Sequence, residues 1–188
     1  MSGTKSAKSP LKLTAAALAL VCFFIYANLT AGTGSYQAEV KILADRELLS
    51  ELIRDISDAK KSVHIAMYMF KSYDNETNGA GLIKKALIKA AERGLKVYVA
   101  LDQSEAGDFV DKENKKLGKE LKENNIKVVY DNKDNRMHTK CAVIDEEITY
   151  IGSHNYTNSA LKHNREMTAR IVSKEASADA LRHILSIK

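Results

Sequence analysis

The sequence has few of the residues that form covalent cross-links or rigid turns. Among 188 residues there is one proline, Pro10, and there are two cysteines, Cys22 and Cys141. Two cysteines are too few for a disulfide framework or for a four-ligand zinc site. Because 45% of the residues are hydrophobic and 28% are charged, we expect one compact domain with a core of its own.

A strong excess of one charge is also missing. The formal net charge is +5, but Lys5, Lys8 and Lys12 lie near the N-terminus without an acidic residue among them. When these three are set aside, the net charge falls from +5 to +2. Such a surplus predicts a local basic patch at most, so composition alone does not identify a polyanionic partner.

The sequence has a single long apolar run, LTAAALALVCFFIYA at residues 13–27, and it follows the three lysines. Its length is typical of a signal-peptide core and falls short of the roughly 20 residues that span a bilayer. We therefore expect residues 1–31 to be an export signal cleaved after Ala31, or else an uncleaved membrane anchor attached through residues 13–31. Either alternative places a domain over residues 32–188 outside the cytoplasm, as a periplasmic, secreted or membrane-anchored protein.

The rest of the chain alternates between strand-like and helix-like apolar spacing. This alternation predicts parallel strands joined by right-handed crossovers, whereas the short link at Glu146 and Glu147 predicts an antiparallel hairpin. The sequence thus indicates an α/β protein with a mixed sheet. Strands are predicted over residues 40–43, 62–70, 95–101, 126–130, 138–145, 148–151 and 166–172, and helices over 46–60, 81–93, 112–123, 157–161 and 177–186.

Polar residues are densest between Arg136 and Glu166. On a strand, residues two apart face the same side, so His138 and Lys140 should project together, whereas Asp145 should face away or end the strand. An imidazole beside an ammonium group suits phosphoryl chemistry, because the ring attacks phosphorus while the lysine neutralises the nonbridging oxygens. We therefore expect Asp145 to hold the hairpin turn rather than to contact substrate.

Other residues of this segment are candidates for phosphate binding. Ser153 and Asn155 supply neutral hydrogen-bond donors for the same oxygens. Four basic residues flank the motif and are placed to grip successive phosphates, although they are equally consistent with a solvated surface. These four residues are Lys133, Arg136, Lys162 and Arg165.

The spacing H-x-K-x4-D followed by G-S-x-N resembles the signature of the phospholipase D superfamily. The matching residues are His138, Lys140, Asp145, Gly152, Ser153 and Asn155, and the likeness extends to Glu166 and to the segment 66–70. The small, single-motif exported bacterial endonucleases of the superfamily are the most similar. This resemblance implies one α/β/α sandwich around a mixed, mostly parallel sheet. It also implies phosphodiesterase activity that needs no metal or cofactor. The catalytic residues that it implies are His138, Lys140, Asp145, Ser153, Asn155 and Glu166, with Glu166 orienting the histidine.

The motif occurs once, although the chemistry calls for one imidazole to attack phosphorus and a second to protonate the leaving oxygen. The other four histidines lack a lysine two residues later. We therefore expect a two-fold homodimer that brings two His138 side chains together, one of which becomes a phosphohistidine. The small members of the superfamily also share one site between two chains.

Three functions compete at this point. The first is an endonuclease of low sequence specificity that acts on DNA, with RNA as a second candidate substrate. The second is a phospholipase D or cardiolipin-type lipid phosphodiesterase, because the same residues cleave either diester. The third is a noncatalytic nucleic-acid-binding module. For the first function, the expected substrate-binding residues are Lys140, Ser153, Asn155, Arg136 and Arg165.

Overall fold

The computed structural model describes residues 35–75, 77–103, 107–132, 134 and 136–188, and one compact unit runs from Tyr36 to Lys188. The predicted export segment and Lys133 lie outside the described residues. No helix in these ranges combines the length and the hydrophobicity needed to cross a membrane. The elements are β1 (Glu39–Ala44), α1 (Glu47–Asp58), β2 (Ser62–Met67), α2 (Gly79–Glu92), β3 (Lys96–Leu101), α3 (Phe109–Glu123), β4 (Lys127–Tyr130), β5 (Lys140–Ile144), β6 (Ile148–Gly152), α4 (Asn158–Lys162), β7 (Met167–Val172) and α5 (Lys174–Ser186).

The strands form one seven-stranded sheet in the order β1-β7-β6-β5-β2-β3-β4. The predicted mixed sheet is confirmed, since β2, β3 and β4 are parallel neighbours and the other pairs are antiparallel. Five of the seven strands run in the same direction, as a mostly parallel sheet requires. Because β5 and β7 run in the opposite direction and each has two neighbours, antiparallel pairs nevertheless outnumber parallel ones. The physical reason is the short link between β5 and β6, which is too short for a crossover and returns the chain antiparallel.

Helices cover both faces of the sheet, which confirms the α/β/α sandwich. The larger core lies under α1, α2, α3 and α4, where α1 buries Leu48, Leu52 and Ile56 at helical spacing. The smaller core lies under α5, where Ile184 packs near Cys141 of β5. Cys141 is therefore a small buried hydrophobic residue, as its position in a strand predicts.

The hairpin between β5 and β6 turns through residues with left-handed backbone angles. Asp145 has a φ of 54° and Glu146 a φ of 60°. Positive φ at two consecutive positions matches the right-handed twist of the two strands, which is why such turns favour hairpins. The connection contains three residues rather than the two predicted, because β5 ends at Ile144.

Candidate active site

The motif residues lie at one edge of the sheet because of strand direction. β5 runs antiparallel to β2, so its first residue, Lys140, pairs with Met67, the last residue of β2. The ladder continues one step further, where the Tyr68 N–H donates to the Thr139 carbonyl over 2.9 Å. β6 ends at Gly152 beside the start of β5. The chain therefore brings the histidine–lysine segment and the G-S-x-N segment together at one end of the central strands. We call this end of the strands the catalytic edge of the sheet.

His138 and Lys140 contact each other directly, which confirms that the two side chains project together. The Lys140 Nζ lies 3.0 Å from His138 Nδ1 and donates to the His138 carbonyl over 2.8 Å. Because an ammonium group only donates, Nδ1 accepts this hydrogen bond. The imidazole is exposed, whereas Lys140 is 9% exposed.

Electrostatics favour the neutral form of the histidine. Partial burial lowers the pKa of His138, and the nearby charges of Lys140 and Arg136 lower it further, against the opposing effect of Asp102. Burial also lowers the pKa of Lys140, although Glu166 and Asp102 partly offset it. A neutral imidazole keeps a lone pair for attack on phosphorus, so these shifts favour a nucleophile near neutral pH.

Tyr68 is a site residue to which the sequence assigned no role, although it lies in the segment 66–70 that resembles the superfamily. Its ring centroid lies 4.5 Å from that of His138, and the Lys140 ammonium lies 4.9 Å from the same ring. The ring limits the positions open to both groups and offers the lysine a cation–π contact. Its place directly after the buried strand β2, at the edge of the sheet, is the signal that points to it.

Two buried polar residues hold the segments around the histidine. Asp102, which follows β3 and is 3% exposed, accepts a hydrogen bond of 2.8 Å from the backbone N–H of Met137. Asn114 of α3 is fully buried and bonds to Phe70 N–H (3.0 Å) and to the carbonyls of Tyr68 (2.8 Å) and Asp102 (3.0 Å). Sequence reasoning missed both, since neither belongs to a recognisable motif. They fix the two chain segments that carry Tyr68 and His138.

Gly152 allows the G-S-x-N segment to approach β7. A Cβ atom at this position would lie 2.3 Å from the Met167 carbonyl oxygen and 2.5 Å from the Thr168 Cα, and a side chain there would force the strands apart. The next residue, Ser153, donates its N–H to Met167 O over 2.9 Å and accepts the Met167 N–H at Oγ over 3.1 Å. Its hydroxyl proton is directed to Glu166 Oε2. Ser153 is thus engaged within the chain before any phosphate binds.

Asn155 differs from Ser153 in that its side chain is not fully hydrogen-bonded within the chain. Its side-chain oxygen is buried and has no hydrogen-bond partner. The oxygen and nitrogen of a side-chain amide are distinguished by their hydrogen-bond surroundings. The missing partner is therefore a property of the amide group as a whole. Buried polar atoms without a partner are rare in folded proteins. Of the two expected neutral donors, Ser153 has its hydroxyl bonded to Glu166, whereas the Asn155 amide keeps one atom without a partner in the chain.

Glu166, which the resemblance implies to orient the histidine, lies within this chain against Ser153 and Asn164. Its carboxylate binds Ser153 Oγ and the Asn164 amide, the latter over 3.0 Å. Its backbone is tied to Asp45, whose side chain accepts the Glu166 N–H over 3.0 Å. Glu166 follows directly on the turn before β7, and this backbone anchoring aims its side chain at the G-S-x-N segment. Within one chain it orders Ser153 rather than the histidine.

His154, the variable position of G-S-x-N, is buried and satisfied. Its Nδ1 lies 2.8 Å from Thr168 Oγ1, and its Nε2 lies 2.8 Å from the Asp45 carbonyl oxygen. With 1% of its surface exposed, it is a structural residue that supports Asp45 and, through it, Glu166.

Asp145 lies at the far end of β5, about 16 Å of strand away from Lys140. Its carboxylate accepts the backbone N–H groups of Lys60, Lys61 and Ser62 over 2.7, 2.7 and 2.9 Å. These three hydrogen bonds support the structural role that the spacing from Lys140 predicts for Asp145. It anchors the hairpin to the start of β2.

The structure describes three of the four basic residues expected to bind phosphates around the motif. Arg136 is exposed two residues before His138. Arg165 pairs with Asp45 over 3.3 Å, but its side chain is 96% exposed. Lys162 donates to the Thr77 carbonyl, so its ammonium is engaged locally. Of the three that the structure describes, Arg136 and Arg165 are the two with exposed side chains.

The geometry therefore combines a neutral, exposed imidazole with a desolvated ammonium and an unsatisfied amide, a set suited to attack on a phosphodiester. Residues 52–187 match the family model "Cardiolipin synthase, PLD-like domain". The chain belongs to the phospholipase D-like family. Among the described residues, no group of three or more histidine, cysteine or acidic side chains is arranged to hold a metal ion.

Known relatives agree with this membership. The phospholipase D of Rickettsia prowazekii is 30% identical over 139 residues, which is 73% of this chain and 60% of that protein. This chain covers 26% of the cardiolipin synthase A of Buchnera aphidicola, so it spans less than two thirds of the length of both relatives.

Solved structures show the same fold. Nuc of Salmonella typhimurium, a phospholipase D family member, superimposes with a TM-score of 0.68 at 20% identity, covering 80% of this chain and 94% of Nuc. NucT of Helicobacter pylori gives a TM-score of 0.64 at 26% identity, covering 80% of this chain and 96% of NucT. The seven-stranded mixed sheet flanked by helices is thus the fold of the family.

Proposed function

We propose that the chain is a metal-independent phosphodiesterase, and specifically an exported endonuclease of low sequence specificity that acts on DNA, with RNA as a second substrate. The observation that carries the proposal is the contact of 3.0 Å between the exposed His138 and the buried Lys140. No cofactor enters the reaction.

In the proposed reaction a ring nitrogen of His138 attacks phosphorus, so a P–N bond forms as the P–O bond to the leaving nucleotide breaks. A second imidazole, protonated at the start, donates its proton to the leaving oxygen. It afterwards takes a proton from the water whose oxygen bonds to phosphorus as the P–N bond breaks. The incoming phosphate draws the Lys140 ammonium away from Nδ1, and Asn155 adds a neutral donor. Arg136 and Arg165 hold the neighbouring phosphates by charge, without reading bases.

The second imidazole belongs, in this proposal, to a second copy of the chain related by a two-fold axis. An exposed apolar patch on β1, β6 and β7 supports the pairing. Val40 and Ile42 are each 54% exposed, Ile151 is 50% exposed and Met167 is 59% exposed. Met167 bonds to Ser153, so the patch adjoins the site. Contiguous apolar surface of this kind marks an interaction surface.

Export rests on residues 1–31, which we propose to be a cleaved signal peptide, with an uncleaved anchor as the alternative. Removal of the segment or its retention at the membrane both leave residues 32–188 outside the cytoplasm. The N-terminus of the mature protein distinguishes the two: a start after Ala31 supports cleavage, and a start at Met1 or Ser2 excludes it.

Lipid phosphodiester cleavage is the second candidate. The apolar patch beside Ser153 is equally suited to a lipid surface, and the curated relatives include a phospholipase D and cardiolipin synthases. Both functions need the same imidazole, so the substrate has to be tested directly.

The test incubates the purified protein with plasmid DNA, RNA and labelled phospholipids in the presence of EDTA. We expect cleavage of nucleic acid, and loss of at least roughly 10⁴-fold in His138→Ala, because the nucleophile is gone. His183→Ala is the matched control, since His183 is an exposed histidine of α5 and belongs to neither the H-x-K nor the G-S-x-N segment. Absence of cleavage of every substrate would leave the noncatalytic binding module, and loss of activity in EDTA would reject the metal-free mechanism.

A further inference from the structure

Two exposed aromatic rings share one lysine beside the active site. Tyr73 and Phe109 are 45% and 55% exposed, although both carry large apolar rings. The Lys71 ammonium lies 5.3 Å from the Tyr73 ring centroid and 4.3 Å from that of Phe109. We call these three residues the Lys71 platform. None of them belongs to the H-x-K or G-S-x-N segments.

The platform is fixed to the same framework as the nucleophile. The Lys71 N–H donates to the Tyr156 carbonyl over 2.9 Å, one residue after Asn155. Phe109 begins α3, and Asn114 of the same helix holds the backbone on either side of residue 69. The backbone at Lys71 and the helix that carries Phe109 are therefore both anchored to the segments that form the site.

The platform is also near enough to contact the same substrate molecule. Tyr68 packs on His138, and Lys71 follows it by three residues. Three residues span at most about 10 Å when fully extended, so the backbone of Lys71 lies no further than this from that of Tyr68. A nucleotide strand whose phosphate sits at His138 and Lys140 extends over that distance within a few nucleotides.

We propose that the Lys71 platform binds unstacked nucleobases of a single-stranded nucleic acid whose scissile phosphate lies at His138. The inference rests on the proposed nuclease function and names the strand state of its substrate. Exposed aromatic rings stack bases without sequence preference, and an adjacent lysine neutralises the backbone. Bases inside a duplex are already stacked and present no free face. A lipid headgroup diester has no base to stack, so the platform also discriminates against lipid.

The test is a binding measurement in the His138→Ala background, which separates recognition from cleavage. Fluorescence anisotropy compares a labelled oligothymidine with an abasic strand of the same length and charge, and an oligouridine distinguishes RNA from DNA. We expect Tyr73→Ala and Phe109→Ala each to weaken oligothymidine binding roughly tenfold, as loss of one stacked base predicts. Affinity for the abasic strand should change less than twofold.

Three further variants define the cause. Tyr73→Phe and Phe109→Tyr keep a ring and should restore tight binding, whereas Lys71→Ala should weaken both strands because it removes charge. Tyr36→Ala is the matched control, since Tyr36 is 39% exposed and hydrogen-bonds to Asp179 of α5. Circular dichroism checks that each variant is folded, which their exposure predicts.

Equal affinity of the parent protein for the base-containing and abasic strands would overturn the proposal. Unchanged oligothymidine binding in the double variant Tyr73→Ala, Phe109→Ala would also overturn it. The same holds if the double variant loses binding to cardiolipin vesicles but not to the oligothymidine. Base-dependent binding without any cleavage by the wild-type chain would uphold the platform and reject the nuclease. Cleavage of nucleic acid without base dependence would do the reverse.

Discussion

The two ends of β5 carry residues of the same signature but differ in how their polar groups are satisfied. At the first end, Lys140 is buried, and its ammonium bonds to the side chain and carbonyl of His138 two residues away. At the other end, Asp145 accepts three backbone N–H groups from the start of β2. Both groups are charged, and both are close to a strand terminus.

The difference shows which end is built for stability and which for chemistry. The charge of Asp145 is fully matched by donors from a distant part of the chain, so its removal leaves three donors unsatisfied. The charge of Lys140 is desolvated and faces a second basic group, an arrangement that costs stability unless an anion binds. A spare hydrogen-bonding amide at Asn155 lies at the same end.

The largest expected effect comes from removing the charge at the first end. Lys140→Met keeps the length of the side chain and should lower the cleavage rate roughly 10³-fold, because a donor to the developing charge is lost. The free energy of unfolding should stay equal or rise, since a buried ammonium is replaced by an apolar group. Initial rates and urea unfolding measure the two quantities.

Lys119→Met serves as the control for this variant, because Lys119 is 81% exposed on α3 and pairs only loosely with Glu123 at 4.0 Å. It should change neither quantity. A marked loss of stability in Lys140→Met would mean that the first end of β5 also stabilises the fold. The two ends would then not differ in role.

At the second end the expected effect is on stability. Asp145→Ala should lower the free energy of unfolding by about 2–4 kcal/mol, through the loss of charge-assisted hydrogen bonds and the strain of alanine at positive φ. Activity per folded molecule should change less than twofold. Asp145→Asn tolerates the left-handed backbone and should cost less, whereas Glu147→Ala, on the same hairpin, should cost almost nothing.

The pH dependence sharpens this prediction. Burial would raise the pKa of Asp145, but the N–H groups of Ser62, Lys60 and Lys61 hold it below the ordinary value of 3.8. A depressed folded-state pKa contributes stability that is fully present above the unfolded value and is lost as the pH falls through the folded value. The difference in Tm between wild type and Asp145→Ala should therefore be full at neutral pH and shrink in acid. A constant difference down to acid pH would contradict the assignment.

The smallest expected effect concerns the titration of the nucleophile. Burial, Lys140 and Arg136 hold the pKa of His138 below 6.5, so its ring should become protonated only at a pH below that value. NMR titration of the ring should show a rise in this pKa in Lys140→Met and a smaller rise in Arg136→Gln, in the order of the two charge contributions. An unchanged pKa in both variants would show that burial alone sets it.

The sequence by itself determined the order of the elements, the site segments and the pairing of His138 with Lys140. Periodicity was sufficient for this, because local apolar spacing reports which face of a strand or helix is buried. The odd spacing between Lys140 and Asp145 by itself predicts that their side chains do not lie on the same face of a strand. Turn length also predicted the antiparallel hairpin between β5 and β6.

Only the tertiary structure decided which distant groups meet at the site. Tyr68 against His138, Asn114 across two segments and Glu166 bonded to Ser153 are contacts between residues 13 to 70 positions apart in sequence. No local pattern encodes such contacts, because they depend on the order in which strands pair across the sheet. The same pairing order set β5 between β2 and β6, and this placed the lysine at the catalytic edge and the aspartate at the opposite one.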